Sequence, residues 1–216
     1  MSDTVDVVSV QQLADLIIGT NEETAGGERQ VIAVAGPPGA GKSTVAESLV
    51  EVLNTRSPGT AAVFPMDGYH YDDLVLEQRG WRSRKGAPYT FDVSGFGHML
   101  ARLRRNDEDE VAVPVFDRTI EIARAGARII RRSVSRIVVE GNYLLLETPP
   151  WIDLADQFDT TVYIDVPEVE LRRRLLERWS DLSGEALEEK LEGNDMPNVR
   201  LVQSHSRPAD FVLRHH

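Results

Sequence analysis

The sequence predicts an α/β fold, a central parallel sheet with helices on both faces, and three observations carry that prediction. Short apolar, β-branched runs alternate with segments whose apolar residues have helical spacing. A glycine-rich octapeptide at residues 36–43 joins the first buried-type run to the first long helical segment. No internal repeat, low-complexity stretch or linker interrupts the alternation, so residues 1–216 read as a single domain.

Val8, Val10, Leu13, Leu16 and Ile17 have helical spacing over residues 8–18, and a polar, glycine-containing connection runs from Gly19 to Gln30. Residues 1–30 are therefore an N-terminal helix and its connection. Val31–Ala35 is a short β-branched run of buried-strand type. Residues 43–54 then place Val45, Ala46, Leu49, Val50 and Leu53 on one helical face. Further strands are expected at Ala61–Met66, Val111–Phe116, Arg136–Glu140 and Thr160–Val166, with a short one at Phe211–Leu213. Helices are expected at 94–105, 168–179 and 184–192. Pro114 inside its run indicates an edge or hairpin position, because proline cannot donate to a ladder. The charge run Asn106–Glu110 reads as a solvated turn without chemistry.

Composition narrows the partners. Lys and Arg total 24 against 35 Asp and Glu, a formal net charge of −11. No basic excess exists to neutralise a nucleic-acid polyanion, so none is expected as a partner. A small anionic substrate stays admissible, since local arginine clusters override the global sign. The absence of cysteine excludes disulfides, thiolate catalysis and cysteine-ligated zinc. The acidic start, Met1-Ser2-Asp3-Thr4-Val5-Asp6, lacks a signal peptide's apolar core. No run approaches the ~18 apolar residues of a membrane span. A cytoplasmic protein with no membrane partner is expected.

The octapeptide Gly-Pro-Pro-Gly-Ala-Gly-Lys-Ser matches the phosphate-loop pattern G-x-x-x-x-G-K-[ST], with a strand before it and a helix after it. Its glycines let the backbone approach a polyphosphate closely, and the helix N-terminus adds partial positive charge. Gly36, Pro37, Pro38, Gly39, Ala40, Gly41, Lys42, Ser43 and Thr44 are thus the candidate nucleotide-phosphate site. Lys42 would reach the β- and γ-phosphates and Ser43 would ligate Mg²⁺.

In open parallel sheets ligands bind beyond the carboxyl ends of the strands. Three predicted strands end there in polar clusters: Asp67-Gly68-Tyr69-His70, Asp117-Arg118 and Glu140-Gly141-Asn142. Asp67 is the candidate catalytic base, a carboxylate to orient an acceptor hydroxyl and take its proton; the bland alternative is a structural Asp-Gly turn. Glu140, after an apolar triplet, is a candidate Mg²⁺ ligand, direct or through water; capping the next helix or pairing with Arg136 are the alternatives. Arg172, Arg173, Arg174 and Arg178 share one predicted helix, and Arg174 and Arg178 share a face. That face either closes over phosphates as a lid or is a solvated face paired with Glu168, Glu170 and Glu177. Tyr69, His70, Arg84, Lys85, Asp117 and Arg118 are polar loop groups that could form an acceptor pocket.

With these residues in view, the chain resembles the uridine kinase, phosphoribulokinase and type I pantothenate kinase group of P-loop kinases. The resemblance rests on Gly36–Ser43, Met66–His70, Arg84–Asp92, Pro114–Arg118 and Val138–Leu145, in the family's order from about residue 30 on. Within that group it looks most like the bacterial fructose-transport-associated branch of nucleoside/nucleotide-kinase-like proteins, which Asn194-Asp195-Met196-Pro197-Asn198 also resembles. The resemblance implies a nucleoside/nucleotide-kinase type of P-loop NTPase fold, with residues 168–193 as a short helical lid and the helix after it. It further implies ATP and Mg²⁺ as cosubstrates, Asp67 as base, Arg174 and Arg178 in the lid, and Lys85 and Asp92 near the acceptor. Where uridine kinases carry a base-reading histidine, this chain reads Arg118-Thr119-Ile120-Glu121. The expected activity is transfer of the γ-phosphoryl group of ATP to a hydroxyl of a sugar, polyol or nucleoside. Pantothenate or uridine as acceptor is the alternative, and a nucleotide-dependent regulatory switch is the reading from another class. A homodimer is compatible with either.

Overall fold

The computed structural model describes residues 6–19 and 29–214; expectations for the acidic start and for most of the Gly19–Gln30 connection fall outside them. In chain order the elements are β1 (Asp6–Val7), α1 (Val10–Gly19), β2 (Gln30–Ala35), α2 (Lys42–Arg56), β3 (Ala61–Pro65), α3 (Asp73–Gln78) and α4 (Val93–Arg105). There follow β4 (Glu110–Asp117), β5 (Ile122–Arg131), β6 (Arg136–Gly141), β7 (Thr160–Asp165), α5 (Glu168–Arg178), α6 (Gly184–Lys190), α7 (Met196–His205) and β8 (Phe211–Arg214).

Six strands form one parallel sheet in the order β1-β8-β7-β2-β6-β3. Every residue of β2 and β6 is buried, as expected of strands covered on both faces. Side chains alternate between two cores. Val31, Ala33, Ala35, Ile137 and Val139 pack with Phe96 and Leu100 of α4 and with Tyr143 and Trp151. Ile32, Val34 and Val138 face the other way, onto Leu13 of α1, Leu49 of α2, Leu171 of α5 and Val199 of α7. Register matters most for function. Ala35 pairs with Gly141 and Pro65 with Glu140, so the ends of β2, β3 and β6 lie side by side.

One predicted strand lies outside the parallel sheet, at the hairpin position that Pro114 indicates. Val111–Phe116 lies within β4, which among the described residues pairs with β5 in a separate antiparallel hairpin. The ladder shifts register between Val113 and Val115, around Pro114, where no N–H is available. The hairpin is pinned by Arg29. This buried guanidinium donates to the carbonyls of Val134 (2.7 Å), Leu103 (2.9 Å) and Arg131 (2.8 Å), tying α4 and both ends of the β5–β6 connection together. The predicted helix at 184–192 stops at Lys190, and a π turn, Leu191–Asp195, leads into α7.

Candidate active site

The phosphate loop leaves β2 and turns into α2. Gly39 (φ 83°) and Gly41 (φ 88°) are in the left-handed region that disfavours side chains. No side chain caps the first turn of α2, leaving its amides to a ligand. Lys42 is 8% exposed and its Nζ donates to the Pro37 carbonyl at 3.0 Å. The Ser43 hydroxyl donates to Glu140 Oε1 at 3.2 Å, across the register that sets β6 beside β2.

A cavity of about 340 Å³ opens over this loop. Pro38, Gly39, Gly41, Lys42, Ser43 and Thr44 form its floor, with Glu140 beside them. Asp67, on the 3₁₀ turn Met66–Tyr69 after β3, faces the same space, and its Oδ2 accepts from Arg118 Nη2 at 2.8 Å. His70, Lys85, Arg118 and Arg178 complete the group of anticipated residues that line it.

Burial and mutual charge tune these groups. Burial, then repulsion from Asp67, pushes the Glu140 carboxyl up to about 7, against the pull of Lys42 and the Ser43 hydroxyl. Burial lowers Lys42 to about 8, while Glu140 and Asp67 oppose that shift. His70 is lowered by burial, and its Nδ1 donates to the Asp67 carbonyl at 2.8 Å. Its ring lies 4.0 Å from Phe91 and 4.7 Å from Phe116, centroid to centroid. Desolvation, then the nearby Arg118 charge, lowers Arg178.

Other anticipated residues do not reach the cavity. Ala40 is buried beneath the loop, and Gly36 and Pro37 shape it from behind. Arg174 is held by Glu170 at 2.7 Å and reaches the Gly39 carbonyl at 3.5 Å. The Tyr69 ring packs edge-on against Phe64 and Phe96, in the core rather than the pocket. Asp92 caps α4 by accepting from the Gly95 amide at 2.9 Å. Arg84 donates to the Gly193 carbonyl, and Asp117 pairs with Arg124 at 3.1 Å in the hairpin turn. These side chains are committed to structure by local partners.

The sequence reading overlooked Arg82, Phe116, Glu121, Asn142, Trp179, Lys190, Asp195 and Asn198, which also line the cavity. The Trp179 indole N–H donates to Asp195 Oδ2 at 2.7 Å. Asn194, Asp195 and Asn198 are buried polar residues. A run of amides and a carboxylate at the start of a helix is the signal that could have found them.

A family model described as an AAA domain matches residues 32–196. A Schizosaccharomyces pombe protein provisionally named a uridine kinase is 31% identical over 197 residues, covering 87% of this chain and 83% of that one. A pantothenate kinase of Streptomyces avermitilis is 34% identical over 166 residues, covering 73% of this chain but only 50% of the kinase. Among solved structures, a protein from Silicibacter sp. TM1040, provisionally described as a fructose transport system kinase, is 36% identical with a TM-score of 0.87. That match covers 97% of this chain and 100% of the other.

Proposed function

We propose, from the premise that the chain belongs to the AAA-domain family of P-loop proteins, that it is an ATP- and Mg²⁺-dependent kinase. It transfers the γ-phosphoryl group to a hydroxyl of a small metabolite. The kinase names of its relatives support the reaction class. The observation that carries the reading is that the Asp67 carboxylate and the phosphate loop face one cavity.

The residues present fit the cosubstrates. Ser43 Oγ and Glu140 Oε1, 3.2 Å apart, are two hard oxygen donors beside the phosphate loop. Among the described residues no cluster of three or more acidic, His or Cys side chains could hold a metal alone. Mg²⁺ commonly takes one or two protein oxygens and completes its shell from phosphates and water. Ser43 and Glu140 would hold the cation, which would supply compensation of the phosphate charge. Lys42 exchanges the Pro37 carbonyl for β- and γ-phosphate oxygens, and Arg178 covers the transferring group from the lid. Asp67, released from Arg118 by the incoming acceptor, orients the hydroxyl and takes its proton. The acceptor oxygen bonds to the γ-phosphorus as the bond to the β–γ bridging oxygen breaks, and ADP departs. Positioning and electrostatics do nearly all of the catalysis.

ADP release measured across sugars, polyols, nucleosides and pantothenate tests this. Turnover should depend on one acceptor class, and D67N should lower it by about 10²–10⁴-fold while binding the nucleotide nearly as well as wild type. Hydrolysis indifferent to every acceptor would replace the kinase with a nucleotide switch.

A further inference from the structure

Arg178, the lid cation, has no hydrogen bond or ion pair of its own among the described residues, so its place is set by its neighbours. It is the last residue of α5, and the next residue, Trp179, ends the helix with its amide still donating to the Leu175 carbonyl at 3.1 Å. The Trp179 side chain is held on two sides. Asp195 Oδ2 accepts from its indole N–H at 2.7 Å, and Lys190 Nζ lies 4.6 Å from its ring centroid.

Asp195 ends the π turn Leu191–Asp195. A π turn rotates the side chains around it relative to a continuous α-helix, a distortion frequent at functional sites. Here consecutive side chains reach opposite walls of the cavity. Asn194 donates to the Lys85 carbonyl at 2.9 Å, on the acceptor side, and accepts from Asn198 at 3.3 Å. Asp195 reaches the lid. A carboxylate only 8% exposed, whose hydrogen bonds come from a neutral indole and an amide, is costly unless its charge is used. Among the carboxylates attracting Arg178, Asp195 contributes most, ahead of Asp67 and Glu121.

We propose that the π turn is a positioning element, in which Asp195, through the Trp179 indole, holds Arg178 at the phosphate end of the cavity. Asp195 and Trp179 are positioning residues in this scheme; the cation that touches the phosphates is Arg178. The inference rests on the lid role given to Arg178 above.

Calorimetric titration with AMP-PNP and Mg²⁺ tests it without knowledge of the acceptor. R178A should weaken binding about tenfold and W179F about fivefold, whereas W179F added to R178A should cost less than about twofold more. Phenylalanine keeps the ring beneath Lys190 while removing the donor. D195A should match W179F, and it serves the same cycle with R178A if W179F does not fold. Thermal unfolding of each variant separates lost positioning from lost structure. Additive losses in the double variant, or W179F and D195A binding like wild type, overturn the positioning role and leave the kinase reading standing. R178A binding like wild type removes the lid role and this inference together. Wild-type protein that does not bind AMP-PNP overturns the proposed function itself.

Discussion

Burial disfavours the charged forms of both Glu140 and Lys42. A carboxyl raised by burial to about 7 holds its proton in the folded protein at pH values where the unfolded chain, near 4.5, has lost it. Between those values the native state binds more protons, so stability falls as pH rises. The contribution is complete below 4.5 and gone above 7, and amounts to about 3 kcal/mol at most. E140Q lacks it. The stability advantage of wild type over E140Q, from urea unfolding in EDTA without nucleotide, should therefore shrink by about 2–3 kcal/mol from pH 5 to pH 7. A difference that is flat or grows with pH would mean that Glu140 is charged throughout. At this scale the sequence is legible where chemistry and register coincide. Lys42 and Ser43 come from a motif with one known geometry, and Asp67 and Glu140 from strand ends in a parallel sheet. Tyr69 and Asp92 show the limit. A tyrosine two residues from Asp67 turns into the core, and an aspartate three residues before Gly95 is taken by a helix N-terminus.

The hairpin β4–β5 delivers Arg118, Phe116 and Glu121 to the cavity, yet it adds no strand to the sheet and packs Val111, Val113 and Ile130 into the core on one of its faces. Its second strand escapes a reading by apolar pattern because Ala123-Arg124-Ala125-Gly126-Ala127-Arg128 has almost no apolar run and is largely exposed. The π turn escapes for another reason: it is one extra residue inside a helical stretch, and periodicity over a few residues cannot register it. What couples the hairpin to Asp67 is the close approach of Gly68. A Cβ there would stand 2.6 Å from the Pro114 carbonyl oxygen and 2.8 Å from its carbon, backbone atoms that cannot swing aside. G68A should cost about 1–3 kcal/mol in urea unfolding. It should lower acceptor-dependent turnover more than that loss explains, because the Asp67–Arg118 pairing moves with the hairpin. Unchanged stability together with unchanged turnover would show that the hairpin shifts freely and is not a fixed wall.

Across the whole molecule, one cavity is walled by the phosphate loop, the turn after β3, the hairpin, the end of α5 and the π turn. The sheet that anchors the first two could be read from the chain, because alternation and buried strands follow directly from apolar patterning. The other walls depend on contacts between residues far apart in sequence, such as Arg29 with Val134 or Asn194 with Lys85, and local pattern does not encode these. Such an arrangement has a thermodynamic signature. A ligand that touches every wall binds only the assembled state, so it stabilises the fold through mass action. AMP-PNP with Mg²⁺ at 100 times its dissociation constant should add about 2.7 kcal/mol, or roughly 5–10 °C in Tm for a chain of this size. On the proposed role of Ser43 and Glu140 in holding the cation, EDTA or S43A should remove at least about half of that shift. An equal shift with and without Mg²⁺ would place the nucleotide on the loop amides and Lys42 alone, and would take Ser43 and Glu140 out of cation binding.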